Sequence, residues 1–405
     1  MTKGMNMDTH RLREISDRLL ENTPNDYRRY LYTQIDWRNR MVCLKGARGT
    51  GKSTILRQRL LEVHGHSEEA IYLSLDYLWL SVRELLDAID SFYKNGVNAF
   101  YLDEVHHVPD WGALMKNLYD IYPDISIAYS GSSLLRLDGS QSDLSRRQMA
   151  YELKGLSFRE YLAFEGVKDI PAVTLEELLA NHRELAFEVT RGIKILPLFK
   201  RYLACGYYPF YKESPSGYAE RIVEVVNKVL DSDLPTIEDV TPATIRRTKK
   251  MLSVLAASCP QQPNMAKLYR ELETDRNQGV KMLEVLERAR LLMLVASGRN
   301  KLDNLSKPEK IYCDNPNLMW ALSSDPNSGT LRETFFVNQL RAAGHSVLLP
   351  AQGDYTVDGR WLFEVGGKTK RFTQIKDIPE SYVVNDEVEN TEGNKIPLWL
   401  FGFLY

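Results

Sequence analysis

The sequence predicts an α/β protein. Its first 165 residues read as a doubly wound parallel sheet, followed by helical and smaller mixed parts. Three observations predict this. Apolar runs of strand length alternate with segments of helical period between residues 41 and 157. A glycine-rich stretch joins the first of these strands to the helix after it. A later strand runs straight into two adjacent acids.

Taken in order, Asp8 and Thr9 can cap a first helix to about Glu21, and Asn22-Thr23-Pro24 ends it. DYRRYLYTQI (26–35) reads as a second helix. MVCLKG (41–46) is a short apolar run closed by glycine, the pattern of a buried strand. STILRQRLLEVHG (53–65) has a helical period, and AIYLSLDYL (70–78) alternates as a strand does. VRELLDAIDSFYKNG (82–96) is a helix closed by glycine. NAFYLDEV (98–105) is a buried strand, ALMKNLYDIYP (113–123) a helix, and ISIAYSGSS (125–133) and MAYELKGLS (149–157) are strands.

Residues from about 175 to 235 look mostly helical. The stretches 241–258, 265–274 and 279–295 read as three helices, the last running into a strand, which is the order of a winged helix-turn-helix. A wing hairpin fits 298–310. LRETFFVNQLRAAG (331–344) is a helix, and HSVLLPA, DYTV, WLFEVGG and IPLWLFGFLY are short strands. The expected organisation is N-terminal helices in 1–35, the phosphate-loop domain in 36–165, a helical lid in 166–240, a winged-helix-like part in 241–325 and a small α/β domain in 326–405.

Composition narrows the class. Apolar residues are 43% and charged residues 26%, ordinary for a soluble chain. A net charge of -2 gives no global bias toward nucleic acid. The four cysteines contain no CxxC pair, so zinc and redox motifs are disfavoured and a reducing compartment is expected. The N-terminus lacks the apolar core of a secretory signal, and IPLWLFGFLY is half the length of a membrane span. The expected setting is cytoplasmic, without a membrane.

The stretch Gly46-Ala47-Arg48-Gly49-Thr50-Gly51-Lys52-Ser53-Thr54 matches GxxxxGK[ST], with a strand before it and a helix after it. Glycines let successive backbone N–H groups turn inward around phosphate oxygens, and the following helix directs its positive end there. Lys52 can reach the terminal phosphates, and the Ser53 hydroxyl can hold Mg²⁺. At the second strand end, Asp103 is placed to hold Mg²⁺ through water and Glu104 to orient and deprotonate an attacking water. His106 and His107 follow. On an extended segment they would point to opposite faces, so they read as packing or surface residues. Ser130, Ser132 and Ser133, at the tip of the neighbouring strand, are candidates for sensing the terminal phosphate. Arg146 and Arg147 offer fixed positive charge for phosphoryl transfer.

GARGTGKS, LDEVHHVPDW, YSGSS, SRRQMAYELKGLSFREYL and CGYYPF occur in that order. This combination resembles the AAA+-like bacterial and archaeal P-loop ATPases that carry a C-terminal nuclease-like domain. The resemblance implies ATP binding and hydrolysis with Mg²⁺, and ATP/ADP as ligands. It also implies that Arg147 stands at the arginine-finger position, acting in trans within a homo-oligomer. The C-terminal part resembles the PD-(D/E)xK nuclease fold, with matching positions at Glu333, Asp354, Glu364 and Gln374. Gly366 stands where that pattern has lysine, and Lys368 lies two residues later, which implies a degenerate nuclease site. Arg246, Arg247, Lys249 and Lys250 form a basic cluster, and Arg288, Arg290, Arg299 and Lys301 add charge; Glu284 and Glu287 oppose it. DNA and protein both stand open as partners. The two other readings are a slow nucleotide-dependent switch and an ATP-gated, Mg²⁺-dependent nuclease.

Overall fold

The glycine loop and the acid pair both lie at the carboxyl end of one parallel sheet. The computed structural model describes residues 9–76, 81–135, 144–258, 264–297, 308–323 and 325–405. It divides into two units: Met1–Lys154 with Asp231–Asp239, and Gly155–Leu230 with Val240–Tyr405.

In the first unit the strands are β1 (Met41–Gly46), β2 (Ala70–Ser74), β3 (Ala99–Asp103), β4 (Ser126–Ser132) and β5 (Met149–Leu153). They lie in the order β2-β3-β4-β1-β5, every neighbouring pair parallel. This is the sheet of a P-loop NTPase fold. The helices are α1 (Thr9–Glu21), α2 (Tyr30–Gln34), α3 (Lys52–His64), α4 (Val82–Lys94) and α5 (Trp111–Ile121). Both faces of the sheet are covered, which is why β1 to β4 read as continuous apolar runs. Met41, Cys43, Ile71, Leu73, Phe100 and Leu102 share one core with Leu85 and Ile89 of α4 and Leu114 and Leu118 of α5. The alternate residues Val42, Leu44, Tyr72 and Tyr101 share the other with Ile55, Leu56 and Leu60 of α3. A period of two sends successive side chains to opposite cores.

Several predicted elements of this unit are shorter than expected, β5 among them at Met149–Leu153 against 149–157. The second helix covers only Tyr30–Gln34, because Arg29 is extended at φ -67°, ψ 148° and sends its side chain elsewhere. β2 stops at Ser74, and Leu75 and Asp76 turn away.

The second unit holds α6 (Phe158–Phe164), α7 (Leu175–Thr190), α8 (Ile195–Ala204), α9 (Tyr218–Lys228), α10 (Pro242–Ser258), α11 (Met265–Glu271) and α12 (Arg276–Arg288). The antiparallel pair β6 (Leu292–Val295) and β7 (Lys310–Cys313) comes next. Arg290, at φ 58°, breaks the chain between α12 and β6. The expected wing tip at 298–307, with Arg299 and Lys301, lies outside the described residues. Then come α13 (Pro316–Leu322), α14 (Ser328–Ala342) and a second sheet ordered β12-β11-β10-β9-β8. Its strands are β8 (Val347–Leu348), β9 (Tyr355–Val357), β10 (Trp361–Gly366), β11 (Ser381–Asn385) and β12 (Lys395–Pro397). The apolar run IPLWLFGFLY, expected as a strand, gives only the end of β12. Leu398–Phe403 forms a 3₁₀ turn with every residue buried. A continuous apolar run specifies burial on all sides, not period. Among the described residues no helix is long and apolar enough to cross a membrane.

Asn317, at the start of α13, fixes the CGYYPF segment. Its side-chain oxygen accepts from Gly206 N (2.9 Å), Tyr207 N (2.8 Å) and the Tyr218 hydroxyl (2.6 Å). Its amide donates to the carbonyls of Tyr202 (3.0 Å) and Leu203 (2.9 Å). The side chain is buried, so truncation strands donors that water does not reach. Asn317→Ala is expected to lower the free energy of unfolding by about 3 kcal/mol, measured by urea denaturation. A loss below about 0.5 kcal/mol, the level of an ordinary surface change, contradicts the role.

Candidate functional site

β1 ends at Gly46, and the chain turns over Ala47–Gly51 before α3 begins at Lys52. Gly49 and Gly51 have φ of 83° and 100°, which favour glycine. At Gly46 the constraint is space. A Cβ there would sit 2.4 Å from the Leu153 carbonyl oxygen of β5. Arg29, buried, ties the loop to the same strand end: Nη1 donates to Thr50 O, and Nη2 donates to Lys154 O at 2.8 Å. Thr50 Oγ1 donates to Ala47 O at 2.9 Å. The Lys52 ammonium, also buried, donates to Gly46 O (3.0 Å) and Ala47 O (3.1 Å). Ser53 and Thr54 are half-buried in the first turn of α3.

β4 lies between β1 and β3, so its tip stands between the phosphate loop and the acids. The buried Asp103 carboxylate accepts from the Tyr72 hydroxyl at 2.6 Å and from Ser130 Oγ. Ser130 Oγ accepts in turn from the Glu104 amide at 3.0 Å. Burial, and then the charge of Asp103, push the Tyr72 phenol far up, so it serves as a proton donor. Glu104 takes a left-handed backbone, φ 57° and ψ 45°, leaving the extended path expected for it. Non-glycine residues held there cluster at functional sites. Ser132 Oγ accepts from Leu134 N at 3.3 Å, and Ser133 is half-buried in the turn beyond.

The two histidines depart from expectation. Val105–His107 is a 3₁₀ turn, not an extended segment. The rings therefore share a side, 4.3 Å apart at 36°. His106 is fully buried, with Nδ1 3.3 Å from the Ser132 amide nitrogen and 3.3 Å from Glu104 Oε2. Glu104, His106 and His107 each offer one ligand atom, all within 4.8 Å of one another. Burial, and next His106, hold the His107 imidazole below its usual value.

Sequence reasoning missed the segment that returns to this unit at Asp231–Asp239. Asp233, buried just before the short helix Leu234–Ile237, faces Arg48 of the loop. Arg48 Nη1 is 3.3 Å from Asp233 Oδ1, and Nη2 is 3.5 Å from Asp76 Oδ2. Burial opposes the charge of Asp233, but His106, Arg48 and His107 outweigh it and hold the carboxyl below the usual range. No local motif marks Asp233, because its partner lies 185 residues away.

Arg147 is not at the phosphate loop within this chain. It forks onto Asp120 of α5, with Nε to Oδ1 at 2.9 Å and Nη2 to Oδ2 at 3.1 Å. Arg146 is exposed.

The C-terminal acids are only partly brought together. Glu333 Oε2 accepts from Lys310 (3.0 Å), Tyr355 (2.7 Å) and the Tyr312 hydroxyl. Asp354 Oδ2 accepts from the Val365 amide at 2.9 Å. Buried Glu364 has Oε2 3.4 Å from the Lys370 ammonium, which also donates to Gln374 Oε1 at 3.3 Å. Lys370, not Lys368, thus stands beside Glu364. The Lys370 amide donates to Gly367 O and folds the chain back over Gly366, while Lys368 is exposed.

Comparison with known proteins agrees with the first unit. Residues 38–162 match the model of an AAA domain, and residues 196–328 match a domain of unknown function, DUF8612. The first unit has the parallel sheet of a P-loop NTPase fold, and residues 38–162 are similar to an AAA domain. Over 284 residues the chain is 27% identical to the uncharacterized protein MJ1637 of Methanocaldococcus jannaschii, which covers 67% of this chain and 60% of that protein. The chain thus spans less than two thirds of that relative. Among solved structures, AMPPCP-bound DnaA from Aquifex aeolicus is 16% identical, covering 68% of this chain and 87% of DnaA, at a TM-score of 0.26. PCH-2 of C. elegans is 18% identical, covering 38% of this chain and 43% of PCH-2, at 0.24. Superpositions at that level carry no functional argument.

Gly46→Ala tests the fit of the loop against β5. The added methyl meets a backbone carbonyl, so either the loop or the edge strand must shift. The expected cost is about 2 kcal/mol, read as a lower melting temperature in calorimetry. An unchanged melting temperature would show that β5 yields freely.

Proposed function

We propose that the chain binds ATP at the 46–54 loop and hydrolyses it, and that the nucleotide state governs contact with a partner, DNA or protein. The observation that carries this reading is the Asp103–Glu104 pair at the tip of β3, held through Ser130 beside the loop that starts at Gly46.

Each residue has a part. Lys52 rests on two loop carbonyls, acceptors that a phosphate can replace with a charge-assisted contact. The backbone amides of Ala47, Arg48, Gly49, Thr50 and Gly51 surround the phosphates. The donor set suits Mg²⁺. Asp103 presents a buried carboxylate that neighbouring hydroxyls already orient, and Ser53 adds a hydroxyl in the first turn of α3. Ser53 and Asp103 would hold Mg²⁺, which when bound would offset charge developing on the phosphate. Glu104 orients the water and takes its proton. Ser130 fixes both Asp103 and the Glu104 amide, and Ser132 and Ser133 lie just beyond it as sensors of the terminal phosphate. Arg147 acts as a finger toward a second copy, for which it must exchange Asp120 for phosphate.

Two measurements test this. Glu104→Gln is expected to keep ATP binding, within about threefold by calorimetry, while turnover falls about 100-fold or more. Lys52→Ala is expected to lose binding itself. A wild type that binds ATP yet turns none over, with or without DNA, favours a switch. Turnover per chain is also expected to rise with protein concentration, and Arg147→Ala to abolish that rise. A flat profile in the wild type removes the finger.

A further inference from the structure

We propose that Asp76, His106, His107 and Asp233 form a binding site for one divalent transition-metal ion, separate from any ion that accompanies nucleotide.

The geometry starts with the 3₁₀ turn, which puts both imidazoles on one side. The Nε2 atoms of His106 and His107 are both buried, and neither has a hydrogen-bond partner among the described residues. The His106 side chain is 0% exposed. Both nitrogens face carboxylate oxygens just beyond hydrogen-bond range. Asp233 Oδ1 is 3.6 Å from His106 Nε2 and 3.9 Å from His107 Nε2. Asp76 Oδ1 is 3.5 Å from His107 Nε2. Four ligands at about 2.0–2.2 Å from a tetrahedral ion stand about 3.4 Å apart. Three of the six edges, at 3.5, 3.6 and 3.9 Å, approach that length.

The surroundings agree. Glu104 Oε2 lies 3.3 Å from His106 Nδ1. A carboxylate behind a ligating histidine fixes the tautomer and raises its basicity. The Ser132 amide meets the same nitrogen at 3.3 Å, and ion binding would favour Glu104 over it. Arg48 bridges Asp233 and Asp76, yet takes Asp76 by Oδ2, leaving Oδ1 toward His107. Asp76, Asp233 and Glu104 carry three negative charges against the single positive charge of Arg48. Imidazoles that ligate an ion are neutral, and in that state the cluster carries two net negative charges, which a divalent ion balances. Two imidazole nitrogens and two carboxylate oxygens suit Zn²⁺ or Co²⁺, not the oxygen-rich shells of Ca²⁺ or Mg²⁺. Such an ion would pin the returning segment, through Asp233, to the turn that follows the acid pair. None of this depends on nucleotide binding.

The test uses the full chain, stripped with chelator and desalted, without nucleotide. Zn²⁺ is titrated by calorimetry and Co²⁺ by visible absorption. One ion per chain is expected, with the d–d bands of four-coordinate Co²⁺. His107→Ala and Asp76→Asn should each weaken Zn²⁺ binding about 100-fold, and Asp103→Asn should leave it unchanged. The proposal is overturned by a stoichiometry below about one half, by equal affinity in His107→Ala and wild type, or by loss of binding in Asp103→Asn. Circular dichroism in chelator checks that the variants fold. Should either fail, the wild-type Co²⁺ complex decides by paramagnetically shifted imidazole signals. Two ligating histidines uphold the site, and none removes it.

Discussion

The approach of the phosphate loop to the end of β5 is the contact on which the site depends. Gly46 runs so close to the Leu153 carbonyl that no side chain fits between them, and the buried Arg29 fork ties Thr50 O to Lys154 O across the same gap. A loop that must present its amides inward has few hydrogen bonds of its own. Arg29 supplies charge-assisted ones from outside and takes up carbonyls that would otherwise be buried unpaired. The loop is therefore set before any ligand arrives, which lowers the ordering cost of binding.

The acid end is set by a different device. Because β4 is inserted between β1 and β3, one hydroxyl, Ser130, can serve both neighbours of the strand end. It donates to Asp103 and accepts from the Glu104 amide. The amide bond holds Glu104 in its left-handed turn. The chain then closes the 3₁₀ turn that brings His106 under the β4 tip, next to the Ser132 amide. One buried serine thus couples the candidate metal-binding acid, the candidate base and the strand tip that carries the candidate sensors.

Legibility in the sequence followed distance along the chain. The phosphate loop could be read because its chemistry is local: nine consecutive residues carry the glycines, the lysine and the hydroxyls. The parallel sheet could be read because β1, β2 and β3 are covered on both faces and are largely apolar. Arg29, Tyr72 and Asp233 could not. Arg29 meets Lys154 over 125 positions, and Asp233 meets Arg48 over 185. No periodicity marks a side chain whose partner is that remote. The facing of the two histidine rings differs from expectation for a related reason. That expectation assumes that the strand continues, and the bend at Glu104 depends on Ser130, 26 residues away.

The second unit shows why a pattern of acids is weaker than a pattern of glycines. A glycine motif constrains the backbone, and the backbone then presents its own amides. An acid motif depends on what its oxygens meet. Glu333 spends one oxygen on two phenols and a lysine. Asp354 holds the Val365 amide, and Glu364 has an ammonium beside it. Glu333 thereby ties α14 to β7 and β9, and Asp354 ties the start of β9 to β10. Lys310 and Lys370 stand beside Glu333 and Glu364 and offset part of their charge. At the β3 tip the balance is reversed. Among the described residues the Asp103 carboxylate meets the hydroxyls of Tyr72 and Ser130, with no ammonium or guanidinium paired to it.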